Sequence, residues 1–175
     1  MSSAKFVVDV AMSVFISGML CMCSTPVSLN ERSTATDSTP SVVTDDVEQA
    51  REVLETYLTA LYEGRFEDAV ALYGGAYETL QEMNPSVDRE DYSGLFANAC
   101  EFNGYQCLAV HSITLEETVS PTEHVFLVEF IDSTGELLRF TPPPGSPNEP
   151  RTQFSFTVVK QDERLQVLEI PPYVS

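Results

Sequence analysis

Between Asp45 and Gly74 apolar residues recur every three or four positions, at Val47, Ala50, Val53, Leu54, Tyr57, Leu58 and Leu61. That spacing predicts one amphipathic helix with a single apolar stripe. Glu48, Glu52, Glu55 and Glu63 fall mostly off the stripe, where they face water. Asp45 followed by Glu48 reads as a capping box at the helix start, and Gly64 stands where a left-handed C-cap is needed. Phe66, Ala69, Val70 and Tyr73 predict a second, shorter helix that continues the buried face until Gly74-Gly75. Residues 76–80 predict another turn or two before Asn84-Pro85 breaks it. A further helix is expected through Tyr92, Leu95, Phe96 and Ala99, capped by Asp88 or Ser86.

From Cys107 the period changes from near four to two. Leu108, Val110, Ser112 and Thr114 alternate with Ala109, His111, Ile113 and Leu115, and residues 124–132 make a denser apolar strand. Asp132 to Gly135 is a turn, from which Glu136 to Thr141 pairs back across that strand. The proline-rich run over 142–150 cannot join a sheet. Residues 152–160 and 165–170 supply the last strands, joined by a turn at 161–163 and ended by Pro171-Pro172. Helices first and then an antiparallel meander is an α+β order. A single broad stripe needs a surface to lie on, so the N-terminal helices are expected to pack on a curved antiparallel sheet of four to five strands.

The N-terminal segment follows another pattern. Lys5 precedes an apolar run interrupted at Asp9, and the stretch from Val10 to Leu20 has signal-peptide length while being too short for a permanent span. Residues 24–44 are rich in Ser, Thr and Pro without periodicity, which reads as a disordered tether with an r.m.s. reach of roughly 25 Å. The expected organisation is therefore a signal segment over 1–23, a tether over 24–44 and an α+β domain over 45–175. A cysteine directly after such an apolar run resembles the lipid-attachment site of bacterial lipoproteins. Cys21 and Cys23 both stand there, although the preceding residue should be small and is Leu20 or Met22. Cys23 is the favoured site because Ser24 follows it. A cleaved secretory signal and an uncleaved anchor are the other readings. On the lipoprotein reading the chain is extracytoplasmic and held at the cell membrane through its lipid.

Charge narrows the partners. The chain carries 27 acidic against 9 basic residues, a net of -18. Such a surface repels phosphate backbones, so nucleic acid is excluded as a partner; its plain use is solubility. Cys100 and Cys107 flank Asn103-Gly104, and export to an oxidising compartment would let them close a disulfide contributing roughly 2–3 kcal/mol. Two reduced core cysteines are the alternative. No further Cys or His lies nearby in sequence to complete a metal site. Nothing resembles a serine nucleophile elbow, a phosphate loop or a metal-binding box, and no cofactor is expected.

The run YLTALYEGRFEDAVALYG, an amphipathic helix, a Gly hinge and a short second helix ahead of a curved meander, resembles the nuclear transport factor 2-like (cystatin-like) superfamily from about Asp45 to the C-terminus. The tether and lipid site further resemble small bacterial lipoproteins of unknown function that carry such domains. The resemblance implies a cone-shaped cavity between the helices and the concave sheet face. Ketosteroid isomerase-like and dehydratase-like members place Asp, His or Tyr there, which makes Asp68, Tyr73, Tyr77, His111 and Glu129 the candidate pocket residues. No short motif fixes any of them to a catalytic position, so no catalytic residue is named. Each also has a plainer role: Asp68 meeting free N–H groups at its helix start, Tyr73 and Tyr77 as core, His111 as a surface or satisfied core histidine, and Glu129 on a solvent face or paired with Arg139. Two functions follow. One is a non-catalytic, lipid-tethered accessory or binding module for a small ligand or an envelope protein. The other is a small cavity enzyme, isomerase-, dehydratase- or hydrolase-like, built on an Asp/His/Tyr set.

Overall fold

The computed structural model describes residues 42–142, 144–147 and 149–173. The signal segment, Cys21, Cys23 and the tether to residue 41 lie outside the described residues. Four helices precede a four-stranded antiparallel sheet, the α+β order expected. The helices are α1 (Val42–Tyr62), α2 (Phe66–Leu72), α3 (Glu78–Met83) and α4 (Tyr92–Glu101). The strands β1 (Ala109–Ser120), β2 (Glu123–Ile131), β3 (Phe154–Gln161) and β4 (Arg164–Val167) lie side by side in sequence order. Among the described residues no helix is long and apolar enough to cross a membrane.

The helix ends follow backbone chemistry, with two corrections. α1 opens before Asp45, so Asp45 is not its cap: it sits in the first turn and accepts from Gln49 Nε2 at 3.1 Å. A carboxylate there suits the positive end of the helix dipole. At the other end Gly64 adopts φ +73°, as expected of a left-handed cap. Arg65 N–H donates to the Ala60 carbonyl at 2.8 Å and Gly64 N–H to Leu61 at 3.2 Å, the bond pair that closes a helix through a left-handed residue. α4 is capped by Asp91, which accepts Gly94 N–H at 2.9 Å. Ser86 and Asp88 come too early, within a run of turns, and Asp88 accepts Glu90 N–H at 2.9 Å instead.

α1 lies across all four strands. Its Leu54, Tyr57, Leu58 and Leu61 meet Phe126, Val128 and Phe130 of β2 and Phe156 of β3 in one core, closed above by Leu95 and Phe96 of α4. Each side chain of this size contributes roughly 1.5–3 kcal/mol when fully buried. The simple alternation expected along β1 is broken by register shifts at Val110/Ser112, Leu115/Glu117 and Thr118/Ser120. Each extra residue bends the strand and increases its twist, so β1 wraps around α1 and presents Val110, Ile113 and Leu115 inward opposite Phe130, Val128 and Phe126. Arg51 of α1 donates through Nη1 to the Ile113 carbonyl and lies over the Phe126 ring at 5.6 Å, fixing the helix to this bent strand.

The stretch from Glu136 to Thr141 is not a full strand. β3 already pairs with β2 from Glu123 to Val128, which leaves only the far end of β2 open. There the stretch makes single bridges, with Leu138 N–H donating to Phe130 at 2.8 Å and Phe140 paired to Arg151. β4 is likewise shorter than the expected 165–170. Its ladder ends with Leu168 N–H on the Thr157 carbonyl at 3.0 Å. Past that point the Glu169 carboxylate replaces the ladder, accepting Thr157 N–H at 2.5 Å and Thr157 Oγ1–H at 2.8 Å. The chain then leaves β3 and ties down the cysteine loop, where Pro172 accepts Gln106 N–H at 2.8 Å and Tyr173 bridges Tyr105.

Candidate functional site

The interior between helices and sheet, where the resemblance implies a cavity, is occupied by aromatic side chains. Tyr73 and Tyr77, two of the five candidates, come together there with ring centroids 5.0 Å apart. Tyr73 also stacks on Tyr57 at 6.1 Å and meets Phe96 edge-on at 5.3 Å. The outermost pair, Tyr77 and Tyr92, stacks at 4.1 Å. The spacing that put these tyrosines on the helical stripe also makes them core. Tyr57 Oη donates to the Glu169 carbonyl at 3.1 Å and Tyr73 Oη to the Ala76 carbonyl at 2.9 Å. Burial pushes the Tyr77 phenol up to about 12, with a smaller push from Tyr92. Tyr57 and Tyr73 are raised further, again chiefly by burial and then by neighbouring tyrosines. All three stay protonated at neutral pH and so are not bases there, and Tyr57 and Tyr73 act as hydrogen-bond donors.

The other candidates are elsewhere. Asp68 is exposed on α2, bonded to Arg65 Nη1 at 2.5 Å and not to the helix N–H groups; Arg65 Nε holds Glu63 at 2.8 Å. These ion pairs raise the Arg65 pKa. Asp68 borders a concavity of about 500 Å³ between the α1–α2 hinge and the start of α4, whose other carboxylates include the capping Asp91. His111 is exposed, the extra residue of the first β1 bulge, because the bulge reverses the parity that simple alternation assigns. Glu129 is half-buried on the sheet face away from α1, between the inward-facing Val128 and Phe130. Its partners are hydroxyls, Ser112 Oγ at 2.8 Å and Thr152 Oγ1 at 3.3 Å; Arg139 does not reach it. No hydrogen bond or ion pair joins any two of Asp68, His111 and Glu129.

Three features escaped the sequence reading. His124 is 2% exposed on the inward face of β2, with Nδ1 3.4 Å from Thr118 Oγ1. It borders an apolar hollow of about 320 Å³ beside Asp46 and Pro121. Its period-two relation to Phe126, Val128 and Phe130 was the available signal. Asn84 is 1% exposed and anchors a polar network between α3 and α4. The third is a groove of about 320 Å³ along β3, where β4 departs, bordered by Arg151, Ser155, Glu169, Ile170 and Pro172. No pattern in the sequence announces where a strand stops pairing.

Cys100 and Cys107 form a disulfide with Cα atoms 5.5 Å apart. Gly104 adopts φ +78° in the loop it closes, a conformation glycine enters without strain. Among the described residues no group of three or more His, Cys, Asp or Glu side chains is arranged to hold a metal ion. No family model matches the chain, and no curated protein matches it.

Proposed function

We propose that this chain is an extracytoplasmic, lipid-tethered accessory or binding module of the nuclear transport factor 2-like type, working without catalysis. The observation that carries the reading is the filled interior. Acid–base chemistry needs at least one group that can exchange a proton within hydrogen-bond reach of the substrate, commonly with a second group to orient it. Here the space between helices and sheet holds phenols that stay protonated, Asp68 and Glu129 are engaged with separate polar partners, and His111 is exposed on the β1 bulge. The disulfide suits an oxidising compartment. The apolar run ending at Cys21 and Cys23, followed by a polar tether, suits lipidation and display at a membrane surface.

The test is incorporation of labelled fatty acid, with fractionation of the cell envelope. The wild-type chain is expected to take up label and to sediment with membranes. Cys23→Ser is expected to lose label and release the domain or leave a precursor, with Cys21→Ser as the parallel control. Label that persists with both cysteines replaced, or never enters the wild type, defeats the lipid-tether reading.

A further inference from the structure

We propose that the open edge of β3 at Ser155 receives an extended segment of a partner protein, running antiparallel to β3 and carrying a carboxylate at or near its C-terminal end. The inference rests on the binding-module reading and names the kind of partner.

The edge is open for a definable reason. In an antiparallel ladder alternate residues turn their N–H and C=O groups to the same side. Thr157 faces β4, giving its carbonyl to Leu168 and its N–H to the Glu169 carboxylate. Ser155 is next along that edge. The β3–β4 pairing ends at Val158, and neither backbone group of Ser155 has a partner on that side among the described residues. Ser155 lines the groove that β4 vacates, with Ile170 and Pro172 as the facing wall. A row of unpaired backbone groups is a template for another strand, which binds through its main chain.

Polarity comes from the charges at the two ends. Three residues ahead of β3 stands Arg151, whose backbone is fixed by two bonds to Phe140 at 2.9 and 3.1 Å. Its guanidinium lies 5.1 Å over the Phe140 ring and 5.6 Å over Phe154, so aromatic faces hold it and its N–H donors stay available. Arg139 borders the adjoining hollow with Arg151 and Gln153. Neither arginine has a carboxylate within ion-pair distance among the described residues. On a chain of net charge -18, two such cations beside an open strand edge form a local site for an anion. Glu169 stands at the opposite end. A strand continuing the line of β4 runs antiparallel to β3, so its C-terminal end reaches Arg151 and its N-terminal end lies beside Glu169. A second copy of the chain fits poorly, because antiparallel pairing about Ser155 would drive each copy's β4 against the other.

The test uses the full-length chain, isotope-labelled for amide and arginine side-chain NMR, with three acetylated, amidated hexapeptides of alternating Thr and Val. One ends in Asp, one begins with Asp and one ends in Lys. The Asp-last peptide is expected to shift the Ser155 amide and the Arg151 Nε–H. The other two are expected to bind about fivefold more weakly, the scale of one partly exposed charge contact. Arg151→Gln is expected to abolish that preference while Ser155 still responds. Ser155→Pro removes the edge donor and is expected to abolish binding, with circular dichroism confirming the fold. Should that variant unfold, an Asp-last peptide N-methylated at alternate residues makes the same test from the ligand side, and full-strength binding of it overturns the proposal. No shift at Ser155 with millimolar peptide, or equal binding of the Asp-last and Asp-first peptides, also overturns it. Shifts confined to another surface overturn the edge while leaving the binding-module reading standing. A peptide-free dimer dissociated by Ser155→Pro would give the edge to a second copy instead. Fatty-acid labelling judges the tether separately.

Discussion

Asn84→Ala isolates a device that holds the helical layer to the cysteine loop. Asn84 follows α3 and is 1% exposed. Its Nδ2 donates to the Leu80 carbonyl, and its Oδ1 accepts from Asn98 Nδ2 and Asn103 Nδ2, all three at 2.5 Å. Asn103 also donates to the Met83 carbonyl at 3.1 Å and so keeps one partner in the variant. Asn98 keeps no such second bond for that group. Three hydrogen bonds at about 1 kcal/mol each, with a half-buried donor left unpaired and a small void, give a cost of about 2–4 kcal/mol. The disulfide constrains the same segment. Cys100 and Cys107 are 7 residues apart in sequence, and closing so short a loop stabilises by about 2.5 kcal/mol in the chain-entropy picture.

Because both constraints act on the loop after α4, their losses should not add. The reduced Asn84→Ala protein is expected to lose less than the sum of the two separate losses, by about 0.5–1 kcal/mol. Urea unfolding followed by far-ultraviolet circular dichroism, with and without reductant, measures all four corners of the cycle. A cost below about 0.5 kcal/mol for Asn84→Ala would refute the account of the buried network. Strict additivity would refute the shared role of network and disulfide.

Gly75→Ala is expected to destabilise by about 3 kcal/mol, because its Cβ would strike the Leu168 carbonyl and the Tyr73 hydroxyl; a thermal melt reads it. Glu163→Gly is expected to stabilise by about 0.5–1 kcal/mol in the same melt, since Glu163 holds φ +63° in the β3–β4 turn and its 3.6 Å contact with Lys160 is exposed. For pH, the raised Tyr77 phenol, up to about 12 in the folded protein, contributes stability that is complete below the unfolded value near 10. That contribution falls as pH rises from 10 to 12, because above 10 the unfolded chain binds fewer protons than the folded one. Urea midpoints should therefore drop across this window, and a drop unchanged in Tyr77→Phe would contradict the assignment.

The helix–hinge–helix run was legible because its signals are local. The stripe from Ala50 to Leu61 needs only a period, and Gly64 needs only a φ that other residues avoid. The misread features depend on partners distant in sequence. Glu136 to Thr141 alternates well enough for a strand, yet β3 occupies most of the edge it would need. His111 and Ile113 keep the same parity in sequence, but the bulge places one outside and the other against the core. Glu129 looked like a partner for Arg139 on charge alone, and register gave it Ser112 instead. Asn84 read as a helix breaker because nothing local shows that Asn98 and Asn103 converge on it.

The same distinction bears on where function can reside. A pocket enzyme of this architecture would have to keep the space above the sheet open and bring titratable groups from several elements into it. Tyr57, Tyr73, Phe96 and Phe126 instead close that space, and the hydroxyls donate to backbone carbonyls, which fixes them in place. Polar side chains take over backbone pairing on the rim, where Glu169 serves Thr157 after β4 has turned away to hold the cysteine loop. That arrangement stabilises the loop at the expense of the sheet edge. An open edge carries a risk of indiscriminate pairing, which proteins commonly reduce with charge or by covering the strand. Here the cover is incomplete, and the charge at its open end, Arg151 on its two aromatic rings, is opposite in sign to most of the surface. It selects an acidic strand as much as it discourages others, so recognition at this edge needs no cavity.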